Sequence, residues 1–140
     1  LSKECANDTI YKFDFQPTFS LTSMWVNHQK QHEFVPPHIH DAFYSFVVFM
    51  KIPTHFKEQQ KLGFCRAPRS VTSNFQFILS GEYYDGVGGM PCTENIELSS
   101  EDEGRMLIFP SWLMHQVFPF YGTDEVRITI SGNIDMLKQQ

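Results

Sequence analysis

The sequence predicts an all-β domain with little helix, a sandwich or barrel of the jelly-roll kind. Three observations carry this. Aromatics make up 15% of the 140 residues and Phe alone occurs 14 times, a composition that favours pleated, half-buried strands. Hydrophobic residues reach 41%, enough for a packed core and too many for a disordered chain. Roughly eight short strand-like stretches follow one another with Pro, Gly or polar turns between them.

The elements can be taken in order. Thr9–Phe15 reads TIYKFDF, with Ile10, Phe13 and Phe15 on an imperfect apolar face, and is expected to be an outer strand. Phe19–His28 (FSLTSMWVNH) is a second strand, and the polar stretch Gln29–Glu33 a turn. Pro36-Pro37 excludes helix and forces an extended approach to His38. Phe43–Ile52 (FYSFVVFMKI) is apolar on both faces, as a central buried strand is, and Pro53 stops it. Thr54–Leu62 is polar and reads as a short helix or an excursion, and Lys61–Ser73 as a loop. Phe75–Leu79 is a further strand. Gly81–Asn95 holds four glycines and Pro91 and is expected to be a long loop, a candidate lid. Ser99–Gly104 is an acidic turn. Arg105–Phe109 is a strand broken by Pro110, Leu113–Phe118 resumes it, and Pro119–Asp124 turns. Val126–Ser131 alternates, with Val126, Ile128 and Ile130 on one face and Arg127, Thr129 and Ser131 on the other.

One domain over residues 1–140 fits this length. The chain begins at Leu1 rather than Met, which points to a trimmed N-terminus. The net charge is −5 with no block of like charges, so there is no basic patch of the kind that marks nucleic-acid binding. No apolar run approaches a membrane span, and LSKECANDTI lacks the pattern of a secretion signal. Cys5, Cys65 and Cys92 match no zinc or disulfide spacing. A reducing, cytoplasmic setting is expected.

The chemistry sits in four residues. His38 and His40 are two apart, so on an extended strand they share a face and can reach one metal ion. His115, after a Phe-Pro-Ser turn, can close the site from a second strand. Three imidazoles suit iron, zinc, copper or nickel and leave positions open, as catalytic sites do. Asp41 is the alternative to His40: iron(II) oxygenases commonly use two histidines and a carboxylate, and a bulge could turn Asp41 inward. Arg127 offers a fork for a carboxylate; the competing reading pairs it with Asp124 or Glu125. Thr129 shares its face and can add a hydroxyl. Asn27 can line the same cavity, whereas Trp25 reads as core. His28, His32 and His55 read as incidental.

These stretches resemble the 2-oxoglutarate- and iron(II)-dependent oxygenase superfamily, nearest to cyanophage-encoded oxygenases labelled prolyl-hydroxylase-like. The resemblance rests on WVNHQKQHEFVPPHIH, YSFVVFMKIPTHFKEQ, EDEGRMLIFPSWLMHQVFPF and DEVRITISGNI. It implies a double-stranded β-helix, the cupin-like jelly roll. It also implies that His38 and His115 bind iron, and that Arg127, helped by Thr129, holds the distal carboxylate of 2-oxoglutarate, with Asn27 also on the co-substrate. The departure is His40 where Asp or Glu is usual. The implied activity couples 2-oxoglutarate decarboxylation to oxidation of a second substrate, a peptidyl proline or a small molecule. Fe(II), 2-oxoglutarate and O2 are needed, with ascorbate as a reductant; a phage-encoded chain would act in the host cytoplasm. Two other readings stand beside it: a cupin-type metal dioxygenase that does not use 2-oxoglutarate, and a non-catalytic phage-associated jelly-roll binding module.

Overall fold

The computed structural model describes residues 17–79 and 92–137. Eight strands are formed among them: β1 (Thr18–Gln29), β2 (Val35–His38), β3 (Tyr44–Lys51), β4 (Phe75–Leu79), β5 (Cys92–Ile96), β6 (Met106–Pro110), β7 (Met114–Val117) and β8 (Arg127–Leu137). They divide into two four-stranded antiparallel sheets, with orders β1-β8-β3-β6 and β2-β7-β4-β5. This is the expected all-β jelly roll. Helix is confined to α1 (Phe56–Lys61) and one 3-10 turn at Ser100–Asp102. His55 caps α1, its side chain accepting from the Lys57 N–H at 3.2 Å.

The sheets meet across an aromatic core. Val47, Phe49 and Phe109 of the first sheet pack against Phe75 of the second, with Ile52 and Leu98. The ring centroids of Phe77 and Phe109 are 5.0 Å apart, and those of Phe49 and Phe75 6.2 Å. As its two apolar faces predict, β3 is an interior strand, flanked by β8 and β6.

Strands β1 and β8 invert the usual pattern. Their polar residues face inward: Trp25, Asn27 and Gln29 lie opposite Ser131, Thr129 and Arg127, and all six line one internal cavity. The apolar residues that alternate with them face out, and Leu21, Met24, Val26, Met106 and Ile108 of this sheet are exposed. An antiparallel sheet normally buries its apolar face; here the site claims the inner one.

Three expectations need correction or completion. Residues 92–95, read as the end of the Gly81 loop, begin β5. Backbone pairing with β4 makes the strand, so its polar side chains gave no apolar signal. The candidate lid from Gly81 to residue 91 lies outside the described residues, as does Thr9–Phe15. Finally, β8 runs six residues past Ser131, to Leu137. Its Gly132 serves close packing: a Cβ there would lie 2.6 Å from the Phe46 ring and from the Ser23 carbonyl oxygen. Gly132→Ala is therefore expected to destabilise the domain by about 1–3 kcal/mol through overpacking. An unchanged urea midpoint would contradict this packing account.

Candidate active site

Two elements from the second sheet bring the imidazoles together. His38 ends β2 and pairs directly with His115 on β7. His40 lies just beyond β2, held by its backbone N–H to the Ser111 carbonyl at 2.9 Å. Each ring offers one nitrogen, and the three nitrogens lie within 4.8 Å of one another. The centroids of His38 and His115 are 4.2 Å apart, and those of His40 and His115 5.2 Å.

The tautomers follow from hydrogen bonding. His38 Nδ1 is 2.8 Å from the Pro36 carbonyl oxygen, and His115 Nδ1 is 3.0 Å from that of Leu113. A carbonyl only accepts, so each Nδ1 carries the proton and each Nε2 keeps a lone pair. That is the arrangement of a metal-binding imidazole with its far nitrogen anchored. In both cases the anchor is the carbonyl two residues back on the chain.

Burial disfavours the charged form of His115 and His40. It lowers the His115 pKa to about 4, partly countered by the Leu113 carbonyl, with His38 and His40 pushing it down further. Phe75 stacks on the His115 ring at 5.5 Å and Phe109 meets it edge-on at 4.8 Å. The His40 pKa is also lowered, first by burial and then by His38. Trp25, read as core, instead walls the site, 5.7 Å from the His40 ring.

Arg127 faces the same cavity, whose volume is about 250 Å³. It is only 2% exposed. Its Nη2 donates to the Ser73 carbonyl at 2.9 Å and the Ser73 hydroxyl at 2.7 Å, and its Nη1 to Gln29 Oε1 at 3.2 Å. The Phe120 ring lies 5.0 Å from the guanidinium carbon. Every one of these partners is uncharged, and Nε has no partner among the described residues. The acidic neighbours expected as competitors are engaged elsewhere: Glu125 pairs with Lys51 at 2.6 Å, and Asp124 accepts from Gln31 at 2.9 Å. Burial lowers the Arg127 pKa to about 10, so the group stays cationic at neutral pH. Among the described residues, no Asp or Glu lines the cavity.

Thr129 and Asn27 join the lining. The Asn27 amide donates to Thr129 Oγ1 at 3.2 Å and to Ser131 Oγ at 3.1 Å, which leaves both hydroxyl hydrogens available to a ligand. The sequence thus brings His38, His40, His115, Arg127, Thr129 and Asn27 to one chamber. Asp41 is exposed and outside the histidine cluster, so the geometry favours His40 over it. His28, His32 and His55 do not join the cluster. Gln29 and Ser73 escaped the sequence reading. Gln29 had a signal, since it continues the Trp25, Asn27 alternation; Ser73, in a loop 54 residues from Arg127, had none.

The profile of a protein family described as "Putative 2OG-Fe(II) oxygenase" matches residues 23–133. The chain belongs to this family. No curated protein matches it. The features of the chamber fit the two groups that such an oxygenase uses. Three convergent imidazoles, each offering one nitrogen, could hold iron(II), and a buried cation with an orphaned N–H suits a carboxylate.

The buried imidazole of His115 makes stability depend on pH. The folded His115 pKa lies below the unfolded value of 6.5, so stability is complete above pH 6.5 and is lost as the unfolded state alone takes up the proton on the way down to about 4. In chelator-treated protein this loss should be on the order of 3 kcal/mol. His115→Phe is expected to flatten the profile of urea midpoint against pH over that window. Parallel profiles for the two proteins would contradict a neutral buried ring.

Proposed function

We propose that the chain is a 2-oxoglutarate- and iron(II)-dependent oxygenase, with iron held by His38, His40 and His115 and the distal carboxylate of 2-oxoglutarate held by Arg127. The observation that carries this reading is a buried, uncompensated guanidinium lining the same small chamber as three converging imidazoles. When bound, the two groups supply the oxidation: O2 converts 2-oxoglutarate to succinate and CO2 and delivers its second oxygen atom to the substrate.

The chain's own residues bind, orient and exclude water. His38 and His115 are pre-set as ligands by their carbonyl anchors, at no rearrangement cost on binding. Arg127 fixes the far end of the co-substrate by a charge-assisted bond in a chamber of low polarity, where such bonds are strongest. Thr129 and Ser131, relieved of acceptor duty toward solvent by Asn27, offer hydroxyl donors alongside. Phe75, Phe109 and Trp25 keep the imidazoles dry. The primary substrate is to be sought among peptidyl prolines, which the sequence resemblance suggests, and small metabolites.

Three imidazoles without a carboxylate also fit a cupin-type dioxygenase that needs no 2-oxoglutarate, and Arg127 separates the two. With iron(II), ascorbate and labelled 2-oxoglutarate, the protein should release succinate above a His115→Ala control when a substrate-rich extract is present. Arg127→Ala should weaken 2-oxoglutarate binding about 10–100-fold, the loss of a charged hydrogen-bonded pair. Substrate oxidation that persists without 2-oxoglutarate and ignores Arg127→Ala would establish the cupin-type activity instead. Absence of succinate under all conditions would sink the oxygenase reading.

A further inference from the structure

We infer that Ser73 is a positioning residue that fixes the orientation in which the Arg127 guanidinium meets the co-substrate, an inference that rests on the oxygenase reading above. Ser73 supplies two of the three hydrogen bonds that Arg127 makes, one through its carbonyl and one through its hydroxyl, both to Nη2. Gln29 takes Nη1. The fork is rigid and planar, with its five N–H directions fixed relative to one another. Pinning Nη2 twice therefore fixes the plane, and the nitrogen left without a partner is Nε. A carboxylate that enters the chamber finds an oriented cation with its Nε–H unspent rather than a rotating one.

The backbone at Ser73 is built for this task at a cost. Its φ is +72°, a left-handed conformation that is unfavourable for a residue with a Cβ and is most easily adopted by Gly. Ser73 is also completely buried. The surrounding bonds hold it there: its N–H donates to the Pro119 carbonyl at 2.9 Å, Phe118 N–H donates to the Asn74 carbonyl at 2.9 Å, and Asn74 N–H closes a turn onto the Val71 carbonyl at 3.0 Å. The segment that clasps Ser73 is continuous with Phe120, whose ring lies beside the same guanidinium. One loop-to-loop clasp thus sets both the hydrogen-bonding and the aromatic neighbours of Arg127. The Ser73 hydroxyl can accept from Arg127 and still donate to Thr54 Oγ1, 3.4 Å away. Backbone conformation alone would favour Gly here; the hydroxyl is what Gly lacks.

A positioning role and a purely structural role predict different results for Ser73→Gly and Ser73→Ala. Both variants remove the hydroxyl, while only Ala keeps the strain. The measurement is calorimetric titration of 2-oxoglutarate, and separately of pyruvate, into manganese(II)-loaded protein without oxygen. Pyruvate has the keto acid end but no distal carboxylate. Both variants should bind 2-oxoglutarate roughly 5–10-fold more weakly, as expected for one lost hydrogen bond to a charged group, and should bind pyruvate as the parent does. Both variants lose the hydroxyl that bonds the buried cation, and Ser73→Gly should melt higher than Ser73→Ala, because only Gly relieves the left-handed strain. If Ser73→Gly binds 2-oxoglutarate like the parent, or loses both acids equally, the positioning role is wrong and the oxygenase reading survives. If the parent itself binds no 2-oxoglutarate, the oxygenase reading fails and this inference falls with it.

Discussion

A buried positive charge without a negative partner among the described residues is the constraint around which this fold is arranged. A guanidinium 2% exposed carries a desolvation penalty that neutral acceptors reduce but do not cancel. The lowered pKa of Arg127 is the mark of that penalty. A domain of ordinary stability has only some 5–15 kcal/mol to spare, so an uncompensated interior cation is a substantial burden. Replacing it with an apolar side chain would fill the space at less electrostatic cost. What the protein gains is a chamber whose field awaits an anion.

The topology explains how the burden is tolerated. Arg127 opens β8, an interior strand flanked by β1 and β3; it pairs with β1, and the next residue, Ile128, pairs with both neighbours. Gln29 is the register partner of Arg127 on β1, so one acceptor comes from the sheet itself. The imidazoles come from the opposite sheet, where β2 and β7 set His38 against His115. Cation and candidate metal ligands therefore stand on separate rigid layers, and sheet-to-sheet packing through Phe49, Phe75 and Phe109 fixes their separation. Sites carried on strands hold geometry better than sites on loops. The inverted polarity of β1 and β8 follows from the same demand: a chamber lined by Asn27, Gln29, Thr129 and Ser131 sends the alternate residues, apolar ones, to the outer surface.

Period-2 alternation made most of the chamber legible in advance. Val126, Ile128 and Ile130 against Arg127, Thr129 and Ser131 needed only the strand repeat, and the histidine pair needed only the Pro-Pro approach. Alternation could assign faces but not say which face is inside. That is why Trp25, a large aromatic, reads as core when it shares the wall with Asn27. Strand β5 was hidden because its polar side chains carry no burial pattern, and backbone pairing with β4 alone defines it. Asp41 stayed open because a bulge could have turned it inward; the carbonyl of Ser111 holds the His40 backbone instead. Ser73 was illegible for a different reason. Its role depends on two loops meeting, and no local pattern encodes a meeting between residues 73 and 119.

The exchange of a carboxylate for His40 bears directly on Arg127. A carboxylate among the metal ligands would place a permanent negative charge in a chamber of about 250 Å³, where the guanidinium could be drawn toward it or partly neutralised by it. Neutral imidazoles remove that competitor. With three neutral ligands, a dication and Arg127, the chamber carries a formal charge of +3 before any co-substrate arrives, and a dianion brings it to +1. With one carboxylate ligand the same sums would be +2 and 0. Coulomb attraction in a poorly solvated space is strong and weakly screened by salt, so the extra charge acts mainly on whatever anion enters. On the proposed reading, the imidazole set and the uncompensated guanidinium are two parts of one electrostatic design, a chamber with no carboxylate among its described lining residues that suits a small dianion at two separated points.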